Sequence, residues 1–327
     1  MVSRFLMSLV VTYLSGALLL AAPCLAAAPA GDTVQHFASP DAAIEALVKA
    51  VRIQDTASLH AMFGVAGSRV VSAGDPVANR TQREKFLAAY DAKHAIDVQG
   101  EVAKLSIGAD DWPFPIPLAH TEQGWSFDVA AGREEILNRR IGANELYTQQ
   151  VMLAYVDAQN EYQQALHDGH KIHVYARHLM SSPGKHDGLY WPTEEGQPQS
   201  PLGALVAEAR AAGYHPGENA EPQPFHGYYF QVLTGQGRHA QDGAYDYVVN
   251  GQMLGGFGLI AWPAQWGNTG IMTFIVNQDG EIYEKDLGPK TATIAKGVTR
   301  FDPDATWQKV GAPAPIAGEA DEDSDGD

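Results

Sequence analysis

Three stretches near the start of the chain carry apolar residues at helical spacing. Ser39 followed by Pro40 predicts a helix start, because the hydroxyl caps free backbone N–H groups and proline suits the first helical position. Its buried stripe is predicted to contain Ile44, Leu47, Val48 and Val51. A second helix is expected after Asp55, and a third over residues 80–90.

Extended segments follow these helices. Residues 95–107 and 124–129 are predicted to be extended, as is the segment 112–117 between them, which is interrupted by prolines. Three helices followed by strands predict a small α+β domain over residues 31–131, in which helices cover a curved sheet. By analogy the shape matches cone-like folds that often enclose a pocket, which carries no function by itself.

A long helix is predicted next. Asn144 is the expected cap, and Asp168 with Gly169 is the expected end, since glycine accepts the left-handed conformation that follows a helix. The apolar stripe recurs every three or four positions at Tyr147, Val151, Tyr155, Ala158 and Tyr162. A row of tyrosines of this kind is typical of a packing face, because each ring offers a large area for burial.

The last third of the chain predicts an antiparallel sheet that covers this helix. Its expected strands are rich in aromatic and β-branched residues, at 228–233, 245–250, 257–262, 271–277 and 281–286. The turn at 277–280 ends in glycine and predicts a hairpin between the last two strands. The expected second domain is residues 132–312, a long helix packed on an antiparallel sheet.

The beginning of the chain has the layout of a secretory signal peptide over residues 1–30. Arg4 precedes an apolar run over residues 5–20, and small residues follow. The run is shorter than the roughly 20 residues that span a bilayer, so we expect cleavage and no transmembrane segment in the mature chain. Cys24, the single cysteine, lies in this leader. A periplasmic or secreted protein without disulfides is therefore expected.

Charge excludes one class of partner. The formal net charge of the chain is −17, and the end of the chain, residues 313–327, is predicted to be an acidic disordered tail. A phosphate backbone would repel such a protein, and basic patches with interleaved aromatic residues are missing from the sequence. Nucleic-acid binding is not expected.

Eight strings of residues carry a resemblance to a known family. In order they are WPFPIP at 112–117, RRIGANE at 139–145, DAQNEY at 157–162, DGLYWP at 187–192, GYYF at 227–230, GF at 256–257 with AWP at 261–263, TFIVN at 273–277, and KDLG at 285–288. The chain resembles the bacterial domain-of-unknown-function family numbered 2950, which implies export and no assigned reaction. The second domain is also similar to the heads of pilin-like proteins, which implies a helix on an antiparallel sheet.

Two constellations offer chemistry that we do not expect the protein to use. Five histidines within residues 167–186 match no standard zinc spacing, so surface or packing roles are favoured over a metal site. Ser182 and Lys185 have the spacing of an acylating serine and its lysine, but Pro183 and Gly184 favour a turn over the helix that this chemistry needs. No cofactor and no metal are predicted.

The loop over residues 185–199 is the best candidate for binding. Asp187, Tyr190 and Trp191 combine a carboxylate with aromatic faces that suit a sugar or a peptide, and Trp262 closes a predicted strand in another aromatic string. The alternative is that Tyr190 and Trp191 only anchor the loop on the sheet. Both interpretations stay open.

These patterns favour a non-catalytic binding or assembly protein of the cell envelope. Its partner would be an envelope protein or a cell-wall component, because the aromatic strings lie in loops and at strand ends. One alternative is a hydrolase that cleaves cell-wall glycan or peptide through carboxylates near Trp191. Another is a small-molecule binder that uses the N-terminal domain.

Overall fold

The computed structural model describes residues 34–72, 75–194, 196–214 and 223–311. Its first part contains three helices and a sheet: α1 (Pro40–Arg52), α2 (Thr56–Val71), α3 (Pro76–Ala92), β1 (His94–Gln99), β2 (Val102–Ile107), β3 (Trp112–Pro113), β4 (Leu118–Thr121) and β5 (Gly124–Phe127). The strands pair antiparallel in the order β1-β2-β4-β5, and β3 pairs with β2. The predicted leader over residues 1–30 and the predicted acidic tail over 313–327 lie outside the described residues.

The N-terminal core is filled by the helices and the inner face of this sheet. The predicted stripe of α1 is buried, and the Ser39 hydroxyl accepts a hydrogen bond from the Ala42 N–H as its cap. Phe63 of α2 meets Phe127 of β5 edge to face, with ring centroids 5.2 Å apart. This packing confirms α1 and its buried face.

The long helix is longer than predicted. Helix α4 (Val129–Gln163) has 35 residues, and Asp128 caps it by accepting the Ala131 N–H at 3.0 Å. The predicted start at Asn144 is wrong, because nothing between residues 129 and 143 interrupts the helix and Asn144 uses its side chain elsewhere. The boundary expected between residues 131 and 132 falls in the first turn of α4.

The C-terminal half is built on a five-stranded antiparallel sheet. Its strands are β8 (Tyr228–Leu233), β13 (Gly258–Pro263), β14 (Met272–Asn277), β15 (Ile282–Asp286) and β17 (Gln308–Lys309), in the order β17-β15-β14-β13-β8. Residues of α4 pack on one face with Tyr228, Leu259 and Phe274. Ile260, Trp262 and Ile275 lie on the opposite face with Ala295 of the short helix α6 (Thr291–Lys296). The sheet is therefore covered on both faces.

One predicted strand is broken in two. Residues 245–250 do not join the main sheet. The fully buried Tyr247 separates β10 (Tyr245–Asp246) from β11 (Val248–Val249). The first piece pairs with β9 (Gly235–Gln236), and the second forms a hairpin with β12 (Gln252–Met253). The remaining elements are β6 (His178–Met180), β7 (Gly188–Tyr190), α5 (Gly203–Ala212) and β16 (Arg300–Phe301).

The fold class is α+β, as predicted. Most strands pair antiparallel without βαβ crossovers, and α4 links the two halves because its first half packs in the N-terminal core and its second half on the main sheet. Among the residues described, none of the helices has both the length and the apolar character that crossing a bilayer requires.

Candidate functional site

A cleft of about 510 Å³ lies beside the C-terminal end of α4. Its walls come from the end of α4, from the segment between α4 and β7, and from the turn between β11 and β12. The lining residues are Tyr162, Asp168, His170, Val174, Tyr175, Arg177, His178, Lys185, Asp187 and residues 251–253. We call it the loop cleft.

Gln159 of α4 fixes one wall of the loop cleft. The Gln159 side chain is fully buried, its Oε1 accepts the Ala176 N–H at 2.9 Å, and its Nε2 donates to the Ala176 carbonyl at 2.8 Å. Both backbone groups of Ala176 thereby have hydrogen-bond partners away from water. An extended segment without a strand partner would otherwise leave such groups unpaired. Ala176 is followed directly by Arg177 and His178, so this clamp positions two cleft residues.

The opposite wall is a short loop between two parallel strands. β6 and β7 pair side by side, with His178 opposite Gly188, and residues 181–187 connect them. A Cβ on Gly188 would lie 2.6 Å from the Met180 carbonyl carbon, so only glycine permits this approach. Ser181 closes the loop, because its hydroxyl accepts the Gly188 N–H at 3.0 Å. The two ends of the loop are therefore bonded to each other.

Asp187 and Asp168 both stabilise this loop. Asp187 accepts the Ser182 N–H at 2.7 Å and the Ser182 hydroxyl at 2.9 Å. Asp168, in the turn after α4, accepts the His186 N–H at 2.9 Å. The bond from the Ser182 N–H is the main cause that lowers the pKa of Asp187, and the charges of His178 and Lys185 add to it. Asp187 is therefore ionised at neutral pH.

Tyr162 supplies the end wall beneath the loop. Burial, with smaller contributions from the charges of Asp168 and Asp187, raises the pKa of Tyr162 to about 12. Its hydroxyl stays protonated and donates to the His186 carbonyl at 2.5 Å. The Tyr162 hydroxyl and both carboxylates thus bind the same loop.

Two cationic side chains, Arg177 and Lys185, line the loop cleft and have N–H groups that can still donate hydrogen bonds. Arg177 donates from Nη1 to the Gly251 carbonyl at 3.0 Å, and within the described ranges no carboxylate oxygen lies within 4.0 Å of its guanidinium. Lys185 Nζ lies 4.0 Å from Asp187 Oδ2, and its side chain is 62% exposed. Lys185 therefore forms a long, exposed ion pair with Asp187, whereas Arg177 has no carboxylate partner in the described part of the chain.

A family model for proteins of unknown function, DUF2950, matches residues 34–310. The chain belongs to this family. No curated protein and no solved structure matches the chain. The resemblance drawn from the eight strings is confirmed, and two of them reach the loop cleft: DAQNEY contains Gln159 and Tyr162, and DGLYWP begins at Asp187.

The structure separates the four residues proposed for binding. Asp187 lines the loop cleft, whereas Tyr190 is buried in the core beside it, with the Arg210 guanidinium 5.2 Å from its ring centroid. Trp191 is half-buried and stacks on His186 at 4.3 Å between centroids. Trp262 is 5% exposed and lies on the sheet face turned away from α4. These contacts match the anchoring role that was left open for Tyr190 and Trp191.

Three histidines of this region make hydrogen bonds within the protein. A ring nitrogen of His167 lies 2.9 Å from the Tyr162 carbonyl, and one of His173 lies 2.7 Å from the Gln163 carbonyl. His170 is 2.9 Å from the Gln252 amide nitrogen. In the described part of the chain, no three His, Cys, Asp or Glu side chains are grouped to hold a metal ion.

Sequence reasoning missed three parts of the site. Gln159, Arg177 and residues 251–253 belong to separate segments that only the folded chain brings together. The Asn250-Gly251 pair could have indicated a hairpin turn, since this dipeptide favours turns with positive φ. Both residues have positive φ in the β11–β12 turn. Nothing local in the sequence indicates that Arg177 reaches this turn.

Proposed function

We propose that this protein is exported and binds an envelope protein or a cell-wall component in the loop cleft without transforming it. Export is supported by the signal-like layout of residues 1–30, in which Arg4 precedes an apolar run. Fractionation should find a chain shorter than the precursor in the periplasm or the medium. Full-length precursor confined to the cytosol would contradict export.

The observation that carries the binding proposal is that the two cleft carboxylates hydrogen-bond to the loop of the cleft wall. Asp187 accepts hydrogen bonds from Ser182, and Asp168 accepts one from the His186 N–H, so both fix the loop that forms the wall. Cleavage of a glycoside needs one carboxyl group that is protonated at working pH, whereas the pKa of Asp187 is lowered. A rigid wall with ordered polar groups suits recognition.

Sedimentation with purified cell-wall sacculi, and pull-down from crosslinked cells, test this function. We expect wild-type protein to bind sacculi or to retain a specific envelope protein. Asp187→Ala should lose at least tenfold in affinity, because the loop loses the acceptor for Ser182. Glu194→Ala is the matched control, since Glu194 is exposed further along the same segment and does not line the cleft. Equal retention of both variants would contradict a role for the cleft.

The hydrolase remains the second candidate, because Asp168 and Asp187 line one cleft. The same sacculi decide between the two functions. Soluble fragments released by wild-type protein and not by Asp187→Ala would establish hydrolysis and overturn the non-catalytic proposal. A ligand site inside the N-terminal region has less support, because Phe63 and Phe127 pack edge to face between its helices and its sheet.

A further inference from the structure

The permanent charges of the loop cleft are balanced. Arg177 and Lys185 contribute two positive charges, and Asp168 and Asp187 contribute two negative charges. The whole chain has 22 basic and 39 acidic residues, so an even balance departs from the rest of the protein. A ligand with charge of one sign would be attracted by one pair and repelled by the other.

Both carboxylates can still accept hydrogen bonds from a ligand. An ionised carboxylate offers about four lone-pair sites. Asp187 uses two of them for Ser182 and lies 4.0 Å from Lys185 Nζ, and Asp168 binds the single N–H of His186. The remaining sites suit an ammonium group, which has three donors and a positive charge.

Both cations can still donate. A guanidinium has five N–H donors, and Arg177 gives one nitrogen to the Gly251 carbonyl. That contact fixes the guanidinium on the β11–β12 turn and leaves the rest of its planar fork for a carboxylate. Lys185 approaches from the facing loop, whose backbone is closed by the Lys185 N–H to Ser182 carbonyl bond at 3.0 Å.

Resting on the proposed function, we propose that the loop cleft binds a short peptide whose terminal ammonium and carboxylate are both free. The carboxylate binds Arg177 and Lys185, and the ammonium binds Asp168 and Asp187. The two ends of the ligand thereby replace the long, exposed contact of 4.0 Å between Lys185 and Asp187. The volume of about 510 Å³ lies in the range of small-ligand sites. The rings of Tyr162 and Tyr175 supply apolar surface to the part of the peptide between its ends. A phosphate dianion fits less well, because the cleft presents two carboxylates that would repel it.

Calorimetric titration of the full chain with four forms of trialanine tests the ligand class. The forms have both ends free, an acetylated amino end, an amidated carboxyl end, or both ends blocked. We expect the form with both ends free to bind at least tenfold more tightly than each of the other three. Inorganic phosphate at the same concentrations should not compete.

Two variants assign each end of the peptide to its pair of side chains. Arg177→Gln should weaken the two forms with a free carboxylate by about tenfold and leave the amidated forms unchanged. Asp187→Asn keeps an acceptor for Ser182 and should weaken only the forms with a free ammonium. Lys171→Gln is the control, because Lys171 is exposed in the same segment and does not line the cleft.

The outcomes separate this proposal from the function on which it rests. Equal affinity for all four forms, competition by phosphate, or no effect of Arg177→Gln would overturn the peptide proposal. If no trialanine binds but sacculi still bind in a manner that needs Asp187, the ligand class is wrong and the binding function stands. If nothing binds through the cleft, both are overturned. If Asp187→Asn weakened the binding of all four forms, the loop would be disrupted. The effect of Arg177→Gln would then decide whether the peptide proposal holds.

Discussion

Glu145 fixes a loop that lies more than 120 residues away in the chain. Its Oε1 accepts the Ile271 N–H at 2.8 Å and the Met272 N–H at 2.9 Å, and the neighbouring Asn144 donates to the Thr269 carbonyl at 2.8 Å. A Cβ on Gly270 would lie 2.0 Å from the Tyr228 hydroxyl oxygen, so glycine is required there. One turn of α4 therefore holds the connection between β13 and β14.

Replacing Glu145 tests this contact. We expect Glu145→Ala to lower the free energy of unfolding by about 2 kcal/mol, because two backbone donors lose a charged acceptor. Glu134→Ala is the control, since Glu134 is exposed on the same helix. Urea unfolding measures both. A loss in Glu145→Ala no larger than in the control would contradict the proposed role.

His226 gives a single-residue test of pH dependence. Burial lowers the pKa of His226, while the charges of Asp75 and Glu208 oppose this and that of Lys85 adds to it. The neutral ring packs on Tyr147 with centroids 3.9 Å apart. A histidine whose folded pKa is lowered contributes stability above its unfolded pKa of about 6.5 and loses it as pH falls through the folded value.

We therefore expect acid to destabilise the wild type more than His226→Asn. Asparagine tolerates the φ of 46° at this position, so the comparison isolates the imidazole. The readout is the difference in unfolding free energy between pH 7.5 and pH 5.0. His60→Asn, at an exposed histidine, should retain the wild-type difference. An unchanged difference in His226→Asn would refute the assignment.

Local signals predicted some elements and failed at others for identifiable reasons. The hairpin at 277–280 is confirmed, because Gly280 has a φ of 73° and the Asn277 Oδ1 accepts the Asp279 N–H inside the turn itself. The prediction of Asn144 as a cap is wrong, because its amide donates to the Thr269 carbonyl, a contact that no local pattern reveals. The strand over residues 245–250 failed in the same way, since burial of Tyr247 depends on distant partners such as Gln236.

The candidate site was predictable only in part. Asp187 was selected from its own loop, where carboxylate and aromatic residues lie together in sequence. Arg177 and the β11–β12 turn line the cleft because tertiary contacts bring them together. Trp262 lies elsewhere, because alternate residues of a strand face opposite sides of a sheet. Residue type indicated binding, and topology decided which residues meet.

At the scale of elements, the second half of α4 and the segment after it form one unit through Gln159. We expect Gln159→Leu to lower the free energy of unfolding by about 3 kcal/mol, because it leaves the N–H and carbonyl of Ala176 buried without partners. The same change should expose the amides of residues 174–178 to faster hydrogen exchange. Asn160→Leu, at the next and exposed position, is the control. Unchanged exchange at 174–178 in Gln159→Leu would contradict the clamp.

At the scale of the whole molecule, α4 joins the N-terminal core to the core between α4 and the main sheet. Val129 and Ile136 pack against the N-terminal core, whereas Met152 and Tyr155 belong to the core of the main sheet. Arg140 lies between them and donates from Nη1 to the Ser72 carbonyl at 2.9 Å and to Asn268 Oδ1 at 2.5 Å. Because one continuous helix enters both cores, we expect the wild type to unfold in a single transition.

A break in the middle of α4 should separate the two cores. Ala143 is exposed between them, and proline there removes a helical hydrogen bond and clashes with the carbonyl of Arg139, at about 3 kcal/mol or more. We expect Ala143→Pro to unfold in two calorimetric steps, whereas Ala143→Gly, which costs about 1 kcal/mol, should keep one step at a lower temperature. Equality of the calorimetric and van't Hoff enthalpies distinguishes the two cases. A single step in Ala143→Pro would mean that contacts such as the Tyr214 hydroxyl to Asp75 bond couple the cores without the helix.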